Sequence, residues 1–505
     1  MDQVASALML VADPWVAVAL TVGTVFGIVV GALPGLGSIL AITMVLPFTF
    51  AMGQVPAIAL ILAVYCSSVF GGSITAILIN TPGTPQSAAT VLDGFAMTRR
   101  GEASMAIGWA TLASFLGGVF SAIVLIVAAP RLAAFALRFG SIETFALICL
   151  SLTCIVSVSH GSLLKGLLAG VFGLFIATIG PDQMTGMVRL NFDIFALSNG
   201  FQLVPVVVGL FAFAEVFVRV AERRFQSAPS PSAAGFRFPR PIEVARRWKT
   251  TLKSAAIGTF VGILPGTGAA TASFMAYAEA KRSGRYRDRL GTGEPEGIVA
   301  AETANNAVTG GALVPTLALG IPGDPVTAVM MTALIMQGIQ PGVRLFADNP
   351  ELMDAAFLTL ILANFALLII AVLATPFITR ILRMPEPVLL TVVLVLSTVG
   401  AYSASGRMLD VLISMGFGLL GFALRIVSVP IAPIVIGIVL GPIFEESLRQ
   451  GLILTDGNFL AFWSSEHPIA LTLILVTVLL LVLPIVNDLR ASRRQSAFLG
   501  TGEDS

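Results

Sequence analysis

Long apolar runs dominate this sequence and limit what it can fold into. Charged residues make up only 11% of the 505 positions, against about 25% in soluble proteins. A helix of roughly 20 apolar residues crosses the hydrocarbon core of a bilayer. Runs of about this length occur near residues 56–80, 103–129, 142–159, 163–180, 201–219, 298–320, 352–375, 387–403, 408–424, 427–443 and 468–486. The sequence therefore predicts an all-α polytopic membrane protein with about 10–12 spans.

Two further apolar runs, 15–50 and 254–280, are interrupted where a helix in lipid should continue. The first contains GALPGLGS at 31–38, and the second contains GILPGTGA at 262–269. An unpaired backbone N–H or C=O costs several kcal/mol in hydrocarbon, so such a break survives only where protein or water surrounds it. We expect each break to be the tip of a re-entrant helical hairpin.

The interrupted runs belong to a larger repeat. Residues 27–37 and 258–268 share the pattern G-x3-G-x-L-P-G-x-G, and a P-G-x-P motif recurs within 80–91 and 320–331. The two motifs occur in the same order in both halves. The copies of the first motif are 231 residues apart and those of the second 240, and the basic loop 281–297 accommodates the extra residues. This indicates an internal duplication, which is common in secondary transporters.

The duplication divides the chain into two halves joined by a basic linker. The expected parts are a first half at 1–220 with hairpin 15–50 and a helix break at 80–85, a linker at 221–253, a second half at 254–487 with hairpin 254–280 and break 320–325, and a tail at 488–505.

Positive charge predicts the orientation of the halves. No Lys or Arg precedes Arg99, whereas nine lie in 219–253 and five in 281–289. Because cytoplasmic loops carry an excess of Lys and Arg, the linker, the loop after the second hairpin and the tail are expected on the cytoplasmic side. Hairpin 254–280 then begins and ends there, with arms of about 11 and 13 residues that are too short to span. Hairpin 15–50 enters from the outer face, so the repeats are inverted.

Interrupted helices supply the chemistry of an anion and cation site. Their free N-terminal N–H groups hold carboxylates, and unwound carbonyls ligate Na⁺. Hydroxyls and amides cluster at the breaks, at Ser38, Ser67, Ser68, Ser73, Thr75, Asn80, Thr81, Thr84, Thr267, Thr271, Asn305, Asn306 and Thr309. The alternative is that single hydroxyls bond to helix carbonyls or pack between helices.

Glu302 and Asp324 are the carboxylates that deserve a functional hypothesis, since an ionisable group inside the membrane is costly. Asp93 and Glu279 are expected at the interface, and His160 and His467 as anchors at span ends. The alternative for Glu302 and Asp324 is an interfacial position or a loop arginine as partner.

Other function classes lack their residues. Cys66, Cys149 and Cys154 lie in apolar segments, which is not typical of a disulfide framework or a metal site. A net charge of +1 gives no reason to expect nucleic acid. The sequence has no HExxH, no Walker A motif and no suitably placed Ser-His-Asp set, so we expect no enzyme and no ATP-driven pump.

The motifs resemble those of a known transporter family. GALPGLG, GGSITAILINTPGTPQSAATVLDG, GILPGTGAATASFMAYAEAKR and GEPEGIVAAETANNAVTGGALVPTLALGIPGDPVTAVMMTALIMQGIQPG are similar to the large membrane subunit of the tripartite tricarboxylate transporters, the TctA family, over roughly residues 15 to 485. The resemblance implies a permease in the bacterial inner membrane that works with a small four-helix membrane subunit and a periplasmic solute-binding protein. It also implies Na⁺ coupling and di- or tricarboxylate substrates such as citrate.

The family's motif residues match positions in both halves. They are Pro34, Gly35, Gly37, Asn80, Pro82 and Gly83 in the first half, and Pro265, Gly266, Gly268, Asn305, Asn306, Pro322, Gly323 and Asp324 in the second. With Ser38, Ser73, Thr81, Thr84 and Thr267 they form the expected substrate and ion site, with transient Na⁺ near Asn80, Asn305 and Asp324.

The expected function is inward transport of an organic carboxylate by alternating access, driven by a Na⁺ or H⁺ gradient and without another cofactor. The alternatives are a passive anion channel with the same broken helices or a secondary transporter for another small anion.

Overall fold

The computed structural model describes residues 2–33, 35–158, 163–182, 184–222, 235–266, 268–381, 386–403 and 406–482. They form an all-α membrane protein with one two-stranded antiparallel pair, β1 (Gly180–Pro181) and β2 (Val188–Arg189). The helices are α1 (Asp2–Val11), α2 (Pro14–Ala32), α3 (Gly37–Thr49), α4 (Gln54–Ile79), α5 (Ala88–Arg99), α6 (Ala103–Ala136), α7 (Ser141–Val158), α8 (Leu163–Ala177), α9 (Leu203–Glu222), α10 (Pro241–Arg246), α11 (Trp248–Ile263), α12 (Gly268–Ser283), α13 (Pro295–Leu319), α14 (Pro325–Met336), α15 (Leu345–Asp348), α16 (Pro350–Ile381), α17 (Glu386–Ser403), α18 (Met408–Ile426), α19 (Ala432–Leu454) and α20 (Pro468–Val482).

The lengths of these helices fit a chain that crosses a bilayer many times. Within the described ranges, 6 helices are long and apolar enough to span: α2, α4, α6, α9, α16 and α18. Shorter apolar helices are α3, α7, α8, α14, α17 and α20. The expectation of an all-α polytopic membrane protein is confirmed.

Helices α4 and α13 form the centre of the molecule. Every residue of α4 after Gln54 is buried, and α13 is buried from Glu296 to Ala318. Their small residues let neighbouring backbones approach closely. A Cβ at Gly71 of α4, for example, would overlap the Ile28 carbonyl of α2.

The two halves have the same order of helices, and equivalent helices make equivalent contacts with the other half. Helices α2, α3, α4, α5 and α6 correspond to α11, α12, α13, α14 and α16. Helix α4 packs against α16, and its counterpart α13 packs against α6. Farther along the chain, α8 packs against α19 and α9 against α18. These reciprocal contacts relate the halves by a pseudo-two-fold arrangement. The inversion of one half relative to the membrane stays a prediction.

Polar contacts between residues far apart in the sequence agree with helices that alternate in direction. They pair Thr49 with Gln337, Glu143 with His467, Lys165 with Val427 and Arg100 with Gly293. Each pair joins helix ends that an alternating path puts on the same face. Which face is cytoplasmic stays a prediction.

The basic linker is shorter than expected at its C-terminal end. Helix α11 begins at Trp248, and both arms of the second hairpin have 16 residues instead of the expected 11 and 13. The reason is Arg247, which is 8% exposed, bonds to Glu294 and lies over the rings of Trp109 and Tyr286. These contacts tie the start of the hairpin to the protein. Residues 223–234 of the linker, His160 and the tail lie outside the described residues.

Candidate functional site

The two hairpin tips have the same backbone geometry. Leu33 and Leu264 are extended, with φ and ψ of −86° and 115° and of −79° and 111°. Gly35 and Gly266 both have φ of 85°. After them α3 begins at Gly37 and α12 at Gly268. The described residues of the two breaks thus share one backbone geometry, whereas Pro34 and Thr267 lie outside them. Re-entry of each hairpin from one membrane face stays a prediction.

Gly37 and Gly268 face open space at the start of their helices. Their φ angles are 68° and 71°, and a Cβ at either position would meet no atom within 4 Å. Positive φ at these positions favours glycine, because a side chain adds strain. Ser38, in the first turn of α3, is buried, and its hydroxyl has no hydrogen-bond partner among the described residues. At both helix starts, a side chain would therefore extend into volume that no described residue occupies.

The P-G-x-P breaks also match between the halves. Asn80 follows the last residue of α4, and Gly320 follows the last residue of α13; both cap their helix in a left-handed conformation, with φ of 58° and 69°. In the first break Thr84 and Ser87 share a hydrogen bond of 2.7 Å, and Thr81 donates to the Ile79 carbonyl. The chain then reverses into the helix that follows each break.

Tip and break meet within each half. The Gly266 N–H donates to the Gly323 carbonyl over 2.8 Å, and a Cβ at Gly83 would overlap the Gly31 carbonyl of α2. Pro322 and Gly323 are buried, and Pro82 and Pro265 are half-buried. The second arm of each hairpin also packs against the other half: α3 against α14, and α12 against the turn at Pro85–Ser87. The structure thus brings both tips and both breaks into one assembly.

Asp324 starts α14 in this structure. Its Oδ1 accepts from the Thr327 N–H at 2.7 Å, and its own N–H donates to the Thr327 hydroxyl at 2.9 Å. Its Oδ2 accepts from the Tyr65 hydroxyl of α4 at 2.6 Å. Asp324 is 4% exposed, so this carboxylate both caps a helix and joins the halves. A role in Na⁺ binding stays a prediction.

Glu302 is fully buried at the contact between the halves. Its Oε1 accepts from Ser73 of α4 at 2.6 Å and from Thr90 of α5. Its Oε2 accepts from Ser114 of α6 at 3.1 Å. Three helices of the first half therefore surround one carboxylate of the second.

Amides accompany this carboxylate on α13. Asn305 and Asn306 are 0% exposed, and none of their side-chain oxygens and nitrogens hydrogen-bonds to a described group. Buried amides without partners are rare because they lose their hydrogen bonds to water. Asn80, in contrast, is exposed, which suits a left-handed helix end.

Asp93 lies beneath a loop of the second half, and its position relative to the membrane interface stays a prediction. It is 0% exposed, and its Oδ1 accepts from the N–H groups of Gly291, Gly293 and Glu294 at 2.7–2.9 Å. The Tyr277 hydroxyl donates to its other oxygen. The loop before α13 folds over this carboxylate, which a linear sequence does not reveal.

Sequence reasoning missed an arginine at the first tip. A Cβ at Gly35 would overlap the guanidinium of Arg219, and Arg219 pairs with Glu215 one turn earlier at 2.8 Å. Glu215 also pairs with Arg425. The motifs of the tips contain no arginine, so only the fold places this cation there.

A matching ion network surrounds Glu445 in the second half. Glu445 pairs with Arg189 at 2.6 Å and with Arg449 at 3.3 Å. The Arg449 hydrogen bond holds the pKa of Asp182 well below its usual range. The E-x3-R pattern at 215–219 recurs at 445–449, 230 residues later, close to the spacing of the tip motifs. This third repeat was the signal that could have found the networks.

Comparison with known proteins identifies the family. The family described as "Tripartite tricarboxylate transporter TctA family" matches residues 17–436. The chain belongs to this family. It is 35% identical over 472 residues, 94% of this chain and 93% of the relative, to "Uncharacterized 52.8 kDa protein in TAR-I ttuC' 3'region" of Agrobacterium vitis. It is 32% identical over 238 residues, 47% of this chain and 98% of the relative, to "Uncharacterized protein in TAR-II ttuC' 3'region" of Agrobacterium vitis. No solved structure matches.

Membership in the TctA family makes this a multi-pass membrane protein of a transporter family. The matched range covers both tips, both breaks and the first of the two E-x3-R motifs, and it ends within α19. The TctA features discussed above therefore lie inside the family's own region, apart from Glu445 and Arg449.

Proposed function

We propose that this chain is the permease subunit of a binding-protein-dependent secondary transporter. It imports an organic di- or tricarboxylate of the citrate kind by alternating access, and a cation gradient, Na⁺ or H⁺, drives the uptake. Its partners are a small four-helix membrane subunit and a periplasmic solute-binding protein, and it works in the bacterial inner membrane. The family match supports this proposal.

The observation that carries the proposal is the pair of open tips. Gly37 and Gly268 begin helices at equivalent places and face free space. The N-terminus of a helix carries partial positive charge, worth about 0.3–1 kcal/mol to an exposed anion and up to about 2 kcal/mol in a partly buried site. A substrate with several carboxylates can use several helix starts together, which a monovalent anion cannot.

The matched halves suit alternating access. Two nearly equivalent arrangements of the same elements let one half offer its contacts to one side of the membrane while the other closes. The swapped packing of α4 on α16 and α13 on α6 gives the molecule two related interfaces that can exchange roles.

Reconstituted transport tests the proposal. The chain would be placed in liposomes with its cognate small subunit and binding protein, and labelled citrate would serve as the first probe. We expect uptake that follows an imposed Na⁺ or H⁺ gradient and is accelerated by unlabelled substrate inside. Flux that ignores both gradients and shows no trans-stimulation indicates a passive anion channel and contradicts the proposal.

A further inference from the structure

We propose that Glu302, with the hydroxyls of Ser73, Thr90 and Ser114, binds the coupling cation at the contact between the two halves. The cation is monovalent, a proton or Na⁺, because it has one carboxylate to neutralise. The inference rests on the proposed function, since only gradient-driven transport needs a coupling cation.

Glu302 is a buried carboxylate without a described ion pair. Its side chain is 0% exposed, and no described Lys, Arg or His forms an ion pair with it. Transfer of an unpaired carboxylate into a protein interior is expensive enough that such groups are paired, neutralised or bound to a metal. Three hydroxyl donors satisfy hydrogen bonds, but they bring no compensating charge. Glu302 therefore needs a positive partner.

The elements around Glu302 place no cation beside its carboxylate among the described residues. Helix α4 contributes no charged residue, and its Tyr65 hydroxyl bonds to Asp324. Asp93 of α5 uses its carboxylate on the loop before α13 and on Tyr277. The cations of the elements packed on α13 lie near helix ends, at Arg99, Arg131, Lys249, Lys253, Lys281 and Arg282.

Two other acids on these elements have their own partners elsewhere. Glu279 bonds to Lys253 and Arg282, and Glu296 accepts from Thr250 and from the Tyr286 N–H. None of them competes for, or supplies, the charge at Glu302. Asp93 and Glu296 are also buried without a printed ion pair among the described residues, but backbone N–H groups donate to both. Within the described contact, Glu302 accepts hydrogen bonds only from side-chain hydroxyls that the two halves bring together.

The oxygen atoms at Glu302 suit a bound cation. Glu302, Ser73, Thr90 and Ser114 offer carboxylate and hydroxyl oxygens, the ligand type that hard cations prefer. Asn305 follows about one turn later on α13, and its buried side-chain oxygen lacks any hydrogen bond to a described group. This unpartnered oxygen is independent of the carboxylate and also favours a bound cation.

The position explains how binding couples to movement. Ser73, Thr90 and Ser114 belong to the first half, and Glu302 belongs to the second. A bound cation lets the contact between the halves close around a neutral site. When the cation leaves, the charged carboxylate favours water, so the contact must open.

Cation binding to the purified chain tests the inference without any organic carboxylate. In the sodium arm, the melting temperature is followed as NaCl replaces choline chloride at fixed ionic strength. In the proton arm, it is followed from mildly alkaline to mildly acidic pH without Na⁺. Ligands that bind only the folded state raise its stability. We expect wild type to gain stability in one arm, which names the cation, and Glu302→Gln to lose that response.

Glu294→Gln is the matched control, because Glu294 is also buried but pairs with Arg247, which keeps its charge across this pH range. It should keep the wild-type response. If Glu302→Gln fails to fold, Ser114→Ala keeps the carboxylate and removes one hydroxyl. In the sodium arm about 10–100-fold more Na⁺ should then be required. In the proton arm the stabilisation should instead begin at higher pH, because a donor to the charged carboxylate is lost.

A wild type that responds in neither arm, or a response that survives in Glu302→Gln or is unchanged in Ser114→Ala, overturns the inference. None of these three results measures carboxylate transport, so the proposed function is tested separately.

Discussion

An experiment can distinguish the role of Gly37 and Gly268 from that of an ordinary turn glycine. Gly101, in the turn between α5 and α6, also has positive φ (79°), and a Cβ there would meet no atom within 4 Å. A side chain at any of the three costs about 1–2 kcal/mol of backbone strain. Only the two tip residues would place it where a substrate approaches.

We therefore expect Gly37→Leu and Gly268→Leu to abolish uptake of labelled citrate in proteoliposomes. Gly101→Leu should lower the melting temperature by a similar amount and leave uptake near wild type. Equal loss of uptake in all three variants would mean that strain, not the open tip, is responsible.

Acid stability should reveal the network around Asp182. Arg449 lowers the pKa of the Asp182 carboxyl. The ion pairs of Asp182 therefore stabilise the fold above the ordinary aspartate pKa of about 3.9. This stabilisation is lost as the pH falls through the lowered pKa. Arg449→Gln should reduce the melting temperature at neutral pH, and its difference from wild type should shrink in strong acid. Arg131→Gln, which removes only a bond to the Val127 carbonyl, should show no such dependence. A difference that is constant with pH would contradict the assignment.

At the scale of the element, the start of α14 distinguishes a capping role of Asp324 from an ion-binding role. Asn caps a helix as well as Asp does, whereas Ala loses about 1 kcal/mol and leaves the buried Tyr65 hydroxyl without its acceptor, at about 1–3 kcal/mol. We expect Asp324→Asn to keep both stability and gradient-dependent uptake, and Asp324→Ala to lose about 2 kcal/mol or more.

Unfolding of the purified variants measures the first effect, and uptake with and without the Na⁺ gradient measures the second. A stable Asp324→Asn variant that no longer responds to Na⁺ would show instead that the charge itself is used.

The elements differ in how far the sequence predicts them. The tips and breaks were predictable because Pro and Gly interrupt a helix through local covalent geometry. The bonds of Glu302 were not, since its partners Ser73 and Ser114 lie 229 and 188 residues away. The burial of Asp93 and the approach of Arg219 to Gly35 likewise depend on packing between distant elements. Periodicity predicts which residues are apolar, but not which polar groups meet.

At the scale of the whole molecule, the two halves are held together by packing rather than by the chain that joins them. Helices α4 and α13 are buried along almost their entire length, and each lies against a helix of the other half. Either half alone would expose one of these faces, together with the polar groups around Glu302.

Splitting the chain tests this view. Co-expressed fragments 1–222 and 235–505 should assemble into a complex that co-purifies through a tag on one fragment and supports uptake, because the cut leaves every described contact between the halves in place. Each fragment expressed alone should be degraded or aggregate, since burial of apolar and polar surface requires the other. A cut between Ala307 and Val308, inside α13, is the control: it interrupts the hydrogen bonds of a buried helix, and we expect no complex. Stable, separately folded halves would show that the matched contacts contribute little to the fold, and alternating access would then have to rely on movements within each half.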